Sequence, residues 1–528
     1  MRYKVPLISS LLYFLSSLIY LYFNGFHEDA YILFNYSENL SNHGVISYYP
    51  DGPPAEGATD FLWMILLSFM YLIKIPTFLS VSILNSLGTF IISYVLVFFL
   101  RDKLNKKTLI ILSTFWLVSL GVISSFSGFS TIFYNSVLML SILSLYHKRK
   151  ILPYLLLILS LIRPDGVVLS MGFLIITIFW RPFNTQFFKD YFLGYLLSAF
   201  LGIGYFLWRW NYFGEILPLP LLVKSNSSES ILPGLGRNLR FIENNFYYLI
   251  VLFLVVLKSR KENVIKYLPI IVPGIMLFVS LLFAHQSQNF GFRFQFPLWI
   301  SCFLYLVILI KENSKIVHRN YFSLILMILI FLQFTKFYKR ISSSNQHYID
   351  DFSINFLENF ENSKKESITV ALTEAGRFTY WTIPSKSIVL DLIGLNTKEN
   401  SKEVLPESYL ETVNPDLIFI HHSGIINKPI ERISSKIIKV KEAKQISANT
   451  DKPRGREDKV PFVTLKYLEK KFNFYNFYLV DYTENGAFSH LFALKKSSDL
   501  DSIFIKSLTP SFNQRNTFFH NLKIRDKY

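Results

Sequence analysis

The sequence holds one cysteine, Cys302, among 528 residues, and this cysteine lies within an apolar run. A single cysteine excludes an intramolecular disulfide, so the C-terminal part of the chain must fold on its own core. The glycine-rich loops that bind nucleotide phosphates are missing, which argues against a nucleotide substrate. No closely spaced group of histidine, cysteine and aspartate residues indicates a zinc site, and the adjacent His421 and His422 are typical of surface residues at a strand end.

Charged residues are also few, at 17% of the sequence against 51% hydrophobic residues, and they are unevenly distributed. Apolar runs recur through the first part of the chain, and several are long enough to span a bilayer. We therefore predict a polytopic α-helical membrane protein of about 11–12 spans, with residues 1–339 as the membrane module and residues 340–528 as a soluble domain. The predicted runs are 7–23, 61–75, 79–100, 108–126, 129–146, 151–162, 166–180, 191–210, 246–258, 266–284, 294–310 and 319–336.

Much of the net charge of +17 lies in short Lys/Arg clusters between these runs. Such clusters orient membrane proteins, so they do not favour nucleic acid as a partner. Placing them in the cytoplasm puts the connection 24–60, the stretch after Trp210 and the tail after Arg340 on the outer side. Run 61–75 cannot span fully under this assignment, because the connection 24–60 is outside and the basic cluster after run 79–100 is in the cytoplasm. The run therefore lies at the interface or forms a short re-entrant helix, or else one basic cluster is not cytoplasmic.

The tail shows short apolar, β-branched stretches that end at glycine, proline or polar residues. We predict an α/β domain with a helix near 462–471 and a mobile loop at 449–459, where Pro453 and Gly455 interrupt a charged stretch. The predicted strands lie at 367–376, 387–394, 415–422, 477–483 and 490–497.

The connection 24–60 carries Glu28, Asp29, Glu56 and Asp60, together with several turn-forming prolines and glycines. A carboxylate that is partly desolvated near lipid has a raised pKa and becomes a better base. The connection is therefore a candidate catalytic loop. The alternative is a solvated linker whose acids face water.

Three further stretches place charge beside apolar runs. In "LIRPDGVVL", Arg163 and Asp165 indicate a functional site at membrane depth, or else a tight turn whose arginine reaches the headgroups. In "YFGEILPLPLLVK", aromatic residues such as Tyr212 are typical of a membrane interface, but Lys224 after a rigid turn could hold a phosphate. In "NFGFRFQFP", Arg293 contacts either a lipid phosphate or an interfacial headgroup.

Together these stretches resemble the GT-C membrane glycosyltransferases, and more narrowly the bacterial branch that includes terminal arabinofuranosyltransferases. The resemblance rests, in order, on "HEDAYILFNYSENL", "NHGVISYYPDGPPAEGATDFLW", "RPDG", "YFGEILPLPLLVK", "FRFQFP" and "EAGRFTYW … VLDLIGL". The family's double aspartate is Glu28-Asp29 here, and its usual Tyr and Asn before the tryptophan are Ala58 and Asp60. Its Pro-Asn step is replaced by Pro218-Leu219.

The resemblance implies an inverting transfer of sugar from a polyprenyl-phosphate donor to a glycan, glycolipid or protein acceptor. The reaction would occur on the outer face of a bacterial cytoplasmic membrane, with the tail outside the cytoplasm. Asp29 or Glu28 would accept the acceptor's proton, and the pair could also ligate a divalent metal.

For the substrate, the resemblance implies that Arg163, Lys224 and Arg293 stabilise the leaving lipid phosphate. Glu56, Asp60, Asp165 and Tyr212 are implied as further substrate-binding residues. A lipid-linked-sugar flippase or transporter and a non-catalytic scaffold remain the alternatives.

Overall fold

The computed structural model divides the chain into two compact units, each formed from separate stretches of sequence. Unit 1 comprises Met1–Leu21, Asp60–Arg209 and Ser230–Asn345, and unit 2 comprises Tyr22–Thr59, Trp210–Glu229 and Gln346–Tyr528. The residues described are 3–100, 109–111, 114, 116–180, 190–225, 231–286, 288–312, 328, 331–339, 348–385, 387–403, 405, 407–422, 437–442, 456–481, 489–513 and 516–528.

This division groups the connection after the first apolar helix with the tail, because residues of that connection hydrogen-bond to tail residues. For example, the Tyr48 hydroxyl lies 2.7 Å from the Thr379 hydroxyl and also donates to the carbonyl of Ala375. The boundary after residue 339, which rests on hydropathy, stays a prediction.

Unit 1 is built from apolar helices. Five helices within the described residues are long and apolar enough to cross a membrane, and two bent pairs raise this number to seven if each pair forms one span. The helices that lie wholly or mostly in unit 1 are Lys4–Asn24, Phe61–Leu72, Thr77–Leu100, Leu120–Phe126, Thr131–Tyr146, Leu152–Ile162, Gly166–Phe179, Phe192–Phe213, Leu235–Lys258, Lys261–Tyr267, Val272–Ser280 and Phe296–Glu312.

The helix Phe61–Leu72 explains the conflict over run 61–75. It has 12 residues. At 1.5 Å per residue such a helix is about 18 Å long, which is well short of a bilayer core of about 30 Å. This length agrees with the expectation that the run does not span fully on its own.

The side chain of Asn85 fixes the start of the apolar helix Thr131–Tyr146 in unit 1. Asn85, in the middle of Thr77–Leu100, donates from Nδ2 to the carbonyl of Phe129 over 3.2 Å and accepts from the Phe133 N–H over 3.1 Å. Gly88, one turn further along, lets the backbone at Phe133 approach closely, since a Cβ there would lie 2.9 Å from the Phe133 Cα. These contacts position residues 129–131, which border the charged site described below.

Unit 2 begins with a helix that the sequence analysis did not predict. Within the connection 24–60, residues Glu28–His43 form a helix of 16 residues, which begins after His27 and ends at Gly44 with φ +70°. The remainder keeps the turns expected from its prolines and glycines. The other unit 2 helices are Leu219–Ser225, Tyr348–Asn362, Arg377–Thr382, Glu399–Lys402, Glu407–Val413, Arg456–Lys470, Asp501–Leu508, Pro510–Asn513 and Phe518–Arg525.

The tail contains a mixed sheet of six strands in the order β2-β1-β3-β6-β5-β4. β1 pairs in parallel with β2 and β3, whereas β3, β6, β5 and β4 pair in antiparallel succession. The strands are β1 Thr369–Leu372, β2 Ile388–Asp391, β3 Leu417–His422, β4 Ile437–Val440, β5 Tyr475–Asp481 and β6 Ser489–Lys495.

The apolar residues of the sheet alternate between two buried faces, as a strand's period of two requires. Ile418, Leu479 and Leu491 belong to one hydrophobic core cluster. Phe419 and Phe492 stack with ring centroids 4.5 Å apart. The predicted fold class, an α-helical membrane module followed by a C-terminal α/β domain, is confirmed by this sheet and the apolar helices.

Two details of the tail differ from the predictions. The short strand β4 was not predicted, because its alternation covers only four residues. The predicted helix near 462–471 begins earlier, at Arg456, so residues 456–459 of the predicted mobile loop are helical. The rest of that loop, 449–455, lies outside the described residues.

Candidate active site

Glu28 opens the helix Glu28–His43, and its carboxylate is held by a second helix of unit 2. Oε1 accepts the backbone N–H groups of Gly376 over 2.6 Å and Arg377 over 3.0 Å, at the start of the helix Arg377–Thr382. Oε2 lies 3.4 Å from Nε of Arg377. A side chain at position 376 would collide with the backbone carbonyl and carboxylate of Glu28, so the "EAG" stretch requires glycine there. Glu28 therefore caps a helix of the tail.

Arg377 continues this network into the unit. Its Nη1 forms an ion pair with Asp350, and its Nη2 donates to the carbonyl of Phe26 over 2.5 Å. The other oxygen of Asp350 accepts from the indole N–H of Trp381 over 2.7 Å. Arg377 is buried and held by several acceptors, so it fixes the arrangement of the carboxylates around it.

Asp29 stands beside Glu28 but has a different surrounding. Its side chain is half-buried, and its backbone N–H donates to Nδ1 of His27 over 3.3 Å. Its charge acts on Glu374, a residue of the loop that follows β1. We call Glu28, Asp29 and Glu374 the acidic cluster.

The carboxylates of the acidic cluster influence one another. Burial raises the pKa of Glu28, and the neighbouring charge of Glu374 raises it further, against the opposite effect of Arg377. Burial also raises the pKa of Glu374, which Arg377 lowers and Asp29 raises. Such a group of acids favours the uptake of a proton or a cation.

Two histidines of neighbouring strands adjoin Glu374. His421 in β3 and His490 in β6 are register partners, and His421 Nδ1 lies 2.5 Å from His490 Nε2. The Glu374 carboxylate lies 3.5 Å from His421 Nδ1 and 3.9 Å from His490 Nε2. Burial lowers the pKa of His421. His421 was expected to be an ordinary surface residue, whereas its side chain is only 29% exposed and contacts this group.

Of the three other predicted residues of unit 2, Glu56 and Tyr212 have described hydrogen bonds that fix the connection 44–60. The carbonyl of the buried Glu56 accepts from the N–H of Leu219 over 3.3 Å. The Tyr212 hydroxyl accepts from the N–H of Ile46 over 3.1 Å. Lys224 lies half-buried in the last turn of Leu219–Ser225.

In unit 1 the structure brings together the four remaining predicted residues, Asp60, Arg163, Asp165 and Arg293, which we call the paired charge cluster. Arg163 Nη2 lies 2.5 Å from Asp165 Oδ2, and Arg163 Nη1 donates to the backbone carbonyl of Arg293 over 3.3 Å. Asp60 interacts electrostatically with both arginines and accepts from the Ser130 hydroxyl over 3.1 Å. The cluster therefore holds two positive and two negative side chains.

Aromatic rings line this cluster. The Arg293 guanidinium carbon lies 3.6 Å from the centre of the Phe129 ring, and that of Arg163 lies 4.7 Å from the Tyr134 ring. The tight turn expected at "RPDG" is also present, since the N–H of Gly166 donates to the carbonyl of Arg163 over 2.9 Å. The turn and the charge site are thus two properties of the same segment.

The residues that the sequence analysis missed are Glu374, Arg377 and His490, together with the importance of His421. Glu374 and Arg377 are close in the chain, but His421, His490 and Glu28 lie far from them and meet them only through strand pairing and helix capping. One signal was available, because the predicted strands "PDLIFIHH" and "HLFALKKS" each carry histidine at one end. Antiparallel pairing of these two strands brings those ends together.

No protein-family model matches the chain, and no curated protein matches it in sequence. Among solved structures, the chain resembles the oligosaccharyltransferase of Archaeoglobus fulgidus in complex with Zn and sulfate. That pair shares 13% identity with a TM-score of 0.47, over 78% of this chain and 67% of that chain. It also resembles the archaeal oligosaccharyltransferase AglB from the same organism in complex with an inhibitory peptide and a dolichol-phosphate. Here identity is 11% and the TM-score 0.47, over 79% of this chain and 69% of that chain. At TM-scores below 0.5, such similarity does not extend an activity from one chain to another.

Proposed function

We propose that this chain is a GT-C-type membrane glycosyltransferase that moves a sugar from a polyprenyl-phosphate donor to a cell-envelope acceptor. The main support is the position of Asp29. This half-buried carboxylate lies in the first turn of the helix that follows the apolar helix Lys4–Asn24, and its charge acts on Glu374. Glu28, its neighbour, is already engaged by two backbone N–H groups and Arg377.

In the proposed reaction the acceptor hydroxyl oxygen attacks the anomeric carbon of the sugar. The bond between that carbon and the phosphate oxygen breaks, and the electron pair leaves with the polyprenyl phosphate. Asp29 accepts the hydroxyl proton as general base. A single displacement of this kind inverts the anomeric configuration.

We assign the phosphate of the lipid carrier to Arg293. Arg163 is committed to Asp165 and to the backbone carbonyl of Arg293, so its role is to position Arg293. Asp60 and Asp165 balance the charge of the two arginines. The sequence resemblance supports Lys224 as a second contact of the phosphate.

Glu56 and Tyr212 support the connection 44–60, according to their described contacts. Their direct contact with substrate stays a prediction. The location of the tail on the outer face and the location of the chain in a bacterial cytoplasmic membrane also stay predictions.

The test uses the purified full chain in proteoliposomes with a panel of radiolabelled polyprenyl-phosphate sugars. An envelope fraction from a strain lacking the gene serves as acceptor. We expect label to enter the acceptor fraction with the wild-type chain and with Glu407→Gln, a control in an exposed ion pair. We expect almost none with Asp29→Asn. Movement of labelled donor across the liposome membrane without transfer would contradict the proposal and support a flippase.

The acceptor is identified separately, by mass spectrometry of surface glycans from the deletion strain. A glycan, glycolipid or glycoprotein that lacks one terminal sugar would give both the sugar and the acceptor class. An unchanged set of surface glycans would contradict the proposed role.

A further inference from the structure

Glu374, His421 and His490 form a group of potential metal ligands in unit 2. One donor atom of each side chain lies within 4.8 Å of the other two. Glu374 lies in the loop that follows β1, His421 is the last but one residue of β3, and His490 lies near the start of β6. Because β1, β3 and β6 are consecutive neighbours in the sheet, the three residues lie at the same end of adjacent strands, where the sheet holds their backbone in place.

The donor set suits a transition metal. Two imidazoles and one carboxylate are ligands that zinc binds readily, with one position left open for water or substrate. Ligand atoms about 2.0–2.1 Å from a tetrahedral zinc lie roughly 3.3 Å apart. The ring nitrogens of His421 and His490 are 2.5 Å apart, so the rings would separate by roughly 1 Å on binding. His421 is the ring that can move, since its side chain is 29% exposed and that of His490 only 1%.

The second nitrogen of His490 is held in the way metal-binding histidines require. Its Nδ1 lies 2.6 Å from the hydroxyl of Tyr348. If Nδ1–H donates to this hydroxyl, Nε2 keeps a lone pair directed at His421 and Glu374. The Tyr348 side chain is itself 92% buried and so cannot readily leave this position.

We propose that Glu374, His421 and His490 bind one divalent cation of the zinc class, with Tyr348 positioning His490. This site differs from the Glu28 and Asp29 pair indicated by the sequence. Glu28 is a poor ligand, because both of its carboxylate oxygens already meet Gly376 or Arg377. The metal site does not depend on the proposed transfer reaction.

The experiment measures metal binding by the full chain purified in detergent and stripped with a chelator. Zinc content after equilibrium dialysis gives the stoichiometry, and the visible spectrum with Co²⁺ reports on nitrogen and oxygen ligands. The variants are His421→Ala, Glu374→Gln and Tyr348→Phe. The matched control is His520→Gln, which removes an exposed histidine of the same unit.

We expect one zinc per chain for the wild type and for His520→Gln. His421→Ala and Glu374→Gln should lose stoichiometric binding, and Tyr348→Phe should bind about 10–100-fold more weakly. Zinc should raise the thermal unfolding midpoint of the wild type but not of His421→Ala.

Two results would overturn the proposal. One is a wild-type chain that binds no zinc or Co²⁺, and the other is wild-type affinity in His421→Ala. The metal-free unfolding midpoint of each variant shows that it is folded. Because the readout is metal content, a failure of sugar transfer leaves the result intact.

Discussion

The acidic cluster of unit 2 and the paired charge cluster of unit 1 differ in how far their negative charges are balanced by positive ones. In the paired charge cluster, two aspartates meet two arginines, and Arg163 and Asp165 lie 2.5 Å apart. In the acidic cluster, Glu28 and Glu374 share Arg377, which also pairs with Asp350, and Asp29 adds a third carboxylate that acts on Glu374. Balanced buried charges hold a fixed geometry, whereas an excess of one sign attracts a counter-ion or a proton.

This difference suggests different tasks for the two regions. A neutral, aromatic-lined group of arginines and aspartates can exchange one partner for an anionic phosphate. An excess of carboxylate can accept a proton or bind a cation. The following substitutions are ordered by the size of the effect that we expect.

The largest effect should come from Asp29→Asn in the acidic cluster. The amide cannot accept a proton, so transfer should fall by about 10²–10⁴-fold, while folding is retained. Initial rates with the labelled donor, together with the unfolding midpoint, measure both quantities. Transfer near the wild-type rate would remove Asp29 as the base.

Arg293→Gln should cause the next largest loss. Removal of a preorganised positive charge at the leaving phosphate should cost about 10²–10³-fold in rate. The control in unit 1 is Arg149→Gln, at an exposed position. Equal rates for both variants would contradict the assignment of the phosphate to Arg293.

Glu28→Gln should affect stability more than chemistry. The carboxylate accepts two N–H groups and faces Nε of Arg377, and the amide nitrogen of glutamine would face one of these donors. We expect a loss of about 1–3 kcal/mol in the free energy of unfolding of unit 2. Denaturant titration followed by hydrogen exchange at the helix Arg377–Thr382 tests this expectation. If Glu28→Gln left the unfolding midpoint unchanged but severely reduced sugar transfer, Glu28 rather than Asp29 would be the base.

The smallest effect is expected for Glu407→Gln. Glu407 pairs with Lys470 over 2.7 Å, but the lysine side chain is 66% exposed. Water and salt screen such pairs, so the unfolding midpoint should not move measurably. A clear shift would show that surface charge matters more to unit 2 than the buried clusters suggest.

The sequence predicted the local features well. Apolar runs such as 79–100 and 191–210 became helices because their composition is sufficient, and "RPDG" became a turn because its proline and glycine favour one. Arg163, Asp165 and Arg293 were chosen as unusual charges beside apolar runs, and Asp60 was chosen as a carboxylate of the connection 24–60. The structure gathers all four in unit 1.

The sequence did not predict the features that depend on distant pairing. In the sequence, nothing distinguishes Arg377 in "EAGRFTYW" from other charged residues. Its ion pairs with Glu28 and Asp350 are visible only in the folded structure. His490 acquires its neighbours only when β6 pairs with β3. The helix Glu28–His43 was missed because its polar residues and the following prolines suggested a loop.

The contact between Glu28 and Gly376 also has a consequence for the making of the protein. The two residues are separated by 348 positions in the chain. At about 5–20 residues per second, the ribosome needs roughly 20–70 s to travel between them. During that interval the nascent segment after the first helix has no partner for its carboxylate. Chaperones that protect this nascent segment during synthesis should therefore increase the amount of folded protein that a cell obtains.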